Sequence, residues 1–314
     1  MAPALRLHIQ RMQMKVKETI GIVLVALFSV ASLPSCSVVR AFTQDKGEYM
    51  TPEGIMEEYA PKGRVEELVY RCSVPGGPTS RRLLVYLPEG YDGGSERYPV
   101  LYLFHGARGN ETSWIKDGEV MALNDSLVAA GLARRAILVL PNMNQYDDDA
   151  DFGKSRFKNP VESFFETNGV VESGFVDDVV AAVDSCYRTV RDRDYRAVAG
   201  LSIGAFQAMQ ISASHPGVFG YVGLFSPLRR TPVKKSGSSD NFKDFEVRQA
   251  VQFVDAPRVY CIFEGRSDFF APQIRAFGRR MAEQGYDFDF HWSKGGHNWE
   301  NWRAFFVDFQ QRIF

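Results

Sequence analysis

The chain has 314 residues, 45% of them hydrophobic, and a formal net charge of -1. With 24 Phe, 13 Tyr and 4 Trp it carries enough apolar surface for one large core or two small ones, which excludes a disordered chain. Charge this close to balance leaves no basic excess to hold nucleic acid and no acidic solvating tail, so no nucleic-acid partner is expected.

The N-terminal segment reads as a signal rather than as part of a fold. Lys15 and Lys17 precede an apolar run at residues 20–30, and small residues follow it. A basic region, a short apolar region and a small-residue boundary make a secretory signal, and the run is short for a membrane span. Met14, just before Lys15, is the more natural start. Leu33-Pro34-Ser35-Cys36 resembles a bacterial lipobox, with Pro34 as an unusual occupant. The expectation is a signal over residues 1–36, a lipid on Cys36 that anchors the chain to an extracytoplasmic membrane face, and a tether over residues 37–61. Ordinary cleavage near Ser35 is the alternative. The other cysteines, Cys72, Cys186 and Cys261, are odd in number, and Cys261 lies in an apolar run that suits a buried small side chain.

From residue 62 the chain alternates strand-like and helix-like runs. Residues 67–72 and 82–87 read as a hairpin across Pro75-Gly76-Gly77-Pro78. Residues 100–104 and 136–140 are continuous apolar runs, as expected of strands covered on both faces. Residues 196–199, 222–225 and 259–263 are further buried strands, and 288–292 alternates with period two. Helical spacing falls at 176–187, 205–214, 272–284 and 300–313. This alternation predicts one α/β domain over residues 62–314, a mostly parallel sheet with helices on both faces and an antiparallel edge. A polar stretch at residues 141–160 contains Asp147-Asp148-Asp149-Ala150-Asp151, read as a solvated loop over the strand ends because its spacing matches no EF-hand.

Gly200-Leu201-Ser202-Ile203-Gly204 has the spacing of a nucleophile elbow. A strand before it and a helix after it supply the context that this short motif needs. The flanking glycines let strand and helix close up, and a serine on the turn points its hydroxyl over the sheet edge. A serine needs a base. Of five histidines, His297 in Gly295-Gly296-His297-Asn298-Trp299 is late, in a loop, and beyond the last predicted strand. The acid should lie between the two, and Asp268, after the 259–263 strand, is the best placed. Glu264 stays open as a rival; Asp255, Asp287 and Asp289 are weaker ones. The Ile203 N–H at the helix start and the Ala107 N–H in Phe104-His105-Gly106-Ala107 are the candidate oxyanion donors.

Taken together, Val85-Tyr86-Leu87-Pro88-Glu89-Gly90-Tyr91, Tyr98 to Gly106, Trp114, the elbow, Asp268 and Gly296-His297-Asn298-Trp299 resemble the esterase D and feruloyl esterase group of α/β-hydrolases (carbohydrate esterase family 1) over residues 65–314. Ala205 departs from the group, whose members usually carry a second glycine there. The resemblance implies a Ser202–His297–Asp268 triad, no metal or other cofactor, and an ester substrate. Export suits a polymeric one, such as feruloyl or acetyl esters on xylan. His105, Trp114 and Trp299 are the expected substrate contacts. A siderophore esterase, an S-formylglutathione-type thioesterase, an acyltransferase and a non-catalytic carbohydrate-binding homologue are the competing readings.

Overall fold

A computed structural model describes residues 51–73, 80–144, 169–228 and 244–314. The signal and lipobox with Cys36, the Pro75–Pro78 turn and the Asp147–Asp151 cluster lie outside the described residues. Eight strands form one sheet, β1 (Arg64–Arg71), β2 (Ser80–Leu87), β3 (Val100–Phe104), β4 (Ile137–Pro141), β5 (Arg196–Leu201), β6 (Tyr221–Phe225), β7 (Val259–Gly265) and β8 (Asp289–Ser293). Their spatial order is β1-β2-β4-β3-β5-β6-β7-β8. β2 runs antiparallel to both β1 and β4, and every pair from β4 to β8 is parallel.

The continuous apolar runs follow from burial on both faces. In β3, Val100, Tyr102 and Phe104 enter one core layer, while Leu101 and Leu103 enter the other. The first layer is covered by α4 (Val170–Phe175, continued by a π-turn at Val176–Val180 and by Ala181–Cys186), α5 (Ile203–Ser214), α6 (Phe245–Gln252) and α7 (Ala271–Glu283). The second is covered by α1 (Pro52–Tyr59), the helical turn α2 (Ser113–Lys116), α3 (Val120–Ala129) and α8 (Trp299–Gln310). Phe305 and Phe309 of α8 pack on Phe225 and Phe263, and Phe306 packs on Trp114, so the aromatic run at the C-terminus is a core element. Among the described residues no helix is long and apolar enough to cross a membrane.

The strand predictions differ from the structure by a few residues at most. One other reading is corrected. Residues 52–59, read as the end of a tether, form α1, which packs on β1 and buries Ile55 completely. Thr51 caps it by accepting the Gly54 N–H, and Pro52 sits in its first turn. Arg82, at the charged start of β2, is buried and donates to Glu111 and Glu67 at 2.6 Å each, tying the edge hairpin to the loop after β3.

Because Ile55 is a core side chain, Ile55→Ala should cost about 2–5 kcal/mol in urea denaturation. A residue in a free tether would leave the unfolding midpoint unchanged.

Candidate active site

The elbow is built by close approach. Ser202 has φ 54° and ψ -117°, a strained conformation for a residue with a side chain, of the kind that costs on the order of 1–3 kcal/mol and clusters at functional sites. The neighbours explain why it is held. A Cβ on Gly204 would lie 2.2 Å from the His105 carbonyl oxygen, and one on Gly200 would lie 2.6 Å from the Gly204 carbonyl carbon. Strand, helix and the loop after β3 therefore meet without room for a methyl group. The Ser202 N–H donates to the Phe225 carbonyl at 2.8 Å, which extends the β5–β6 ladder past the turn.

His297 comes from the loop between β8 and α8. Asn298 caps α8 by accepting the Asn301 N–H, and Asn301 donates to the Gly296 carbonyl, so the helix start and the turn brace each other. The imidazole is buried and lies against Phe269, Phe270 and Trp302 at centroid distances of 4.7, 5.3 and 4.9 Å. Its Nε2 is 3.0 Å from Ser202 Oγ, and its Nδ1 is 2.8 Å from Asp268 Oδ2.

Asp268 lies three residues beyond β7, and its other oxygen accepts the Phe270 N–H at 2.8 Å. Burial alone would raise its pKa, but the hydrogen bond and charge of His297, the Phe270 N–H and the nearby Ser226 hydroxyl outweigh burial and hold it below the usual carboxylate range. Asp268 is thus ionised and can only accept. Nδ1 of His297 must carry the ring proton, which leaves Nε2 free to accept from the serine hydroxyl. The three side chains that sequence spacing singled out form one hydrogen-bonded chain, the arrangement that serves acyl transfer.

The Ile203 N–H opens α5, where no earlier turn can accept it, and the Ala107 N–H lies in the turn closed by the Gly109 N–H to the Gly106 carbonyl. Neither N–H bonds any described residue. A Cβ on Gly106 would lie 2.5 Å from Leu201, so this turn sits directly on the strand that ends at the serine.

Two expected substrate contacts are corrected. His105 Nδ1 donates to the Gly106 carbonyl and its Nε2 accepts the Met143 N–H, at 2.8 and 2.9 Å. Burial lowers its pKa to about 4, so it is a neutral brace between the loops after β3 and β4. Trp114 is buried and gives its indole N–H to the Phe104 carbonyl at 2.9 Å. Trp299 is half-buried, edge-on to Trp114 and Trp302. Sequence reasoning did not single out Trp302 as a wall of the histidine, Phe269 as an exposed aromatic beside it, or Ser226 near Asp268. Register would have pointed to Ser226: Leu201, Phe225 and Phe263 are direct neighbours, so residues 202, 226 and 264 follow one row of strand ends.

The rival acids divide cleanly. Asp255, Asp287 and Asp289 are exposed, and Glu264 is buried beside Asp268 but does not bond His297 among the described contacts. Elsewhere, Cys261, Asp289 and His291 bring possible metal-donor atoms within 4.8 Å of one another. The Arg312 guanidinium acts on both Cys261 and His291, and its positive charge opposes a cation there.

Comparison with known proteins agrees with this geometry. The family described as "Putative esterase" matches residues 78–313. An endo-1,4-beta-xylanase/feruloyl esterase of Xylanibacter ruminicola is 38% identical over 146 residues, 45% of this chain, and the matched stretch spans only 19% of that relative. A solved ferulic acid esterase superposes with a TM-score of 0.64 at 25% identity, covering 80% of this chain and 99% of that one. A CE1 ferulic acid esterase of Anaeromyces mucronatus, solved in complex with ferulic acid, superposes with a TM-score of 0.66 at 23% identity, covering 80% of this chain and 91% of that one. With the match running over most of the described domain and a hydrogen-bonded Ser–His–Asp chain at its strand ends, the chain belongs to this esterase family and has the α/β-hydrolase fold of serine carboxylic ester hydrolases.

Proposed function

We propose that this protein hydrolyses carboxylic esters through an acyl-enzyme on Ser202, with feruloyl or acetyl esters on plant cell-wall xylan as substrates. The observation that carries the reaction is the 3.0 Å contact of Ser202 Oγ with His297 Nε2, backed by the 2.8 Å contact of Nδ1 with Asp268. As Oγ attacks the ester carbonyl, its proton passes to Nε2, and Asp268 stabilises the imidazolium. The carbonyl oxygen becomes an oxyanion, for which the Ile203 and Ala107 N–H groups are the available donors. The imidazolium gives its proton to the departing alcohol. Water then repeats the sequence on the acyl-enzyme, which releases the acid and restores Ser202.

The substrate class rests on the names of the relatives, one of them a xylanase/feruloyl esterase and others ferulic acid esterases. Export and a lipid on Cys36 belong to the same proposal and are supported by the basic and apolar segments ahead of Leu33-Pro34-Ser35-Cys36. Such an anchor would hold the enzyme at the membrane, outside the cytoplasm, where a polymer fragment can meet it.

Ser202→Ala should abolish hydrolysis of a simple aryl ester while leaving the circular dichroism spectrum intact; full activity would remove the serine from the mechanism. Asp268→Asn should lower kcat by about 10⁴, because the wrong tautomer of His297 then faces the serine. Parallel assays on methyl ferulate, acetylated xylan, S-formylglutathione and a ferric siderophore should show turnover of the first two. Turnover of only S-formylglutathione or the siderophore would replace the substrate class. Expressed in a bacterial host, the wild-type chain should take up labelled fatty acid and sediment with membranes, and Cys36→Ala should do neither. Equal labelling of both would rule out Cys36 as the anchor.

A further inference from the structure

Among the described residues, Glu264 is a buried carboxyl beside the triad that the reaction above leaves unused. It lies next to the end of β7, in the row that also holds Ser202 and Ser226, and its side chain is fully buried. Its Oε1 accepts the Gly265 N–H at 3.0 Å, while its Oε2 is buried with no hydrogen-bond partner at normal distance among the described residues. The charged group that faces it is Asp268, from the loop after β7. β8 places Trp292 beside it in register, and no cationic side chain acts on it among the described residues.

We propose that Glu264 is held as a neutral carboxylic acid that turns its O–H toward the Asp268 carboxylate, making it a positioning residue for the acid of the triad. This rests on the triad reading of Ser202, His297 and Asp268.

Two carboxylates packed together away from water do not both ionise, so the pair keeps one proton. Partners decide which oxygen carries it. Asp268 has the His297 N–H, the Phe270 N–H and the Ser226 hydroxyl to stabilise a negative charge, whereas Glu264 has one backbone N–H. An ionised Glu264 would bury a carboxylate oxygen with nothing to accept from, a costly arrangement. Protonated, the same oxygen becomes a donor, and Asp268 is the acceptor that faces it. Burial first, and then the charge of Asp268, push the Glu264 carboxyl from 4.5 up to about 10, in the same direction. The result is an Asp268 held on several sides, with its negative charge directed at His297.

The proton can be detected without reference to catalysis. Glu264→Gln preserves both contacts, an amide oxygen for the Gly265 N–H and an amide N–H for Asp268, so it should fold and keep kcat within a few-fold of wild type. Glu264→Leu removes the donor and should lower kcat roughly 10- to 100-fold with KM unchanged. A Glu264→Gln as impaired as Glu264→Leu would overturn the proposal.

Stability gives the second readout. Between pH 4.5 and about 10 the unfolded chain has lost a proton that folded Glu264 keeps, so wild-type stability falls as pH rises. The folded-to-unfolded ratio of Glu264→Gln should therefore gain on wild type by about tenfold per pH unit across pH 5–9. A pH-independent difference would overturn the proposal. Should the variant not fold, carbon-13 carboxyl NMR of glutamate-labelled wild type decides the question. One glutamate should stay protonated at neutral pH and titrate only in the alkaline range, and a protein whose glutamates are all ionised at neutral pH overturns the inference. Both of these readouts use the resting protein, so they hold or fail independently of the Ser202→Ala result.

Discussion

Between Gly204 of α5 and the carbonyl oxygens of Phe104 and His105 there is room for a hydrogen atom and nothing larger. That contact sets how steeply α5 leaves β5, and the angle forces Ser202 into a conformation that an unconstrained serine avoids. The strain persists because buried strands on both sides over-determine it. β5 is paired along its length with β3 and β6, and α5 is buried on nearly all of its surface. The same contact sets Gly106 against Leu201, so a single packing constraint delivers both the serine hydroxyl and the turn that holds the Ala107 N–H.

The histidine side is organised differently. Its support is aromatic and polar. Phe269, Phe270 and Trp302 wall the ring, while Asn298 accepts the Asn301 N–H, Asn301 donates to the Gly296 carbonyl and Asp268 accepts from His297 Nδ1, which fixes the loop and the tautomer. The Arg266 and Ser267 N–H groups donate to the Ser293 and Gly295 carbonyls, so the acid loop and the base loop are stitched together before either meets Ser202. Acid and base therefore form one unit, which meets the elbow at the His297 Nε2 to Ser202 contact.

Much of this was legible in the sequence, for reasons that can be named. Strands covered on both faces must be apolar throughout, so runs such as Val100–Phe104 and residues 259–263 stand out. The elbow was legible because its glycines are demanded by contacts a Cβ would destroy. The order serine, acid, histidine then placed Asp268 and His297. What escaped notice lacked such a signature. α1 buries only Ile55, so no apolar period marks it, although Thr51 and Pro52 announce its start. α6 inverts the usual pattern, burying Gln249 and Gln252 while Val247 and Val251 face outward. His105 and Trp114 carry polar atoms that suit a ligand as well as a backbone carbonyl, and only the packed structure shows that the backbone has them. Ser226 is a neighbour of the triad by strand register, a relation that runs across the chain rather than along it.

The position of His297 has a further consequence for how the protein matures. The base sits 95 residues after the serine it serves, in a turn whose geometry depends on the final helix. Contacts that span such distances form late, after the loops between them have been closed. A chain still emerging from its synthesis thus has an elbow without a base. Ester hydrolysis can begin only when α8, with its aromatic face, has docked on β6 and β7. Turnover is therefore a reporter on completed folding of the C-terminal end, and a chain clipped before α8 stays chemically silent however well its central sheet has formed.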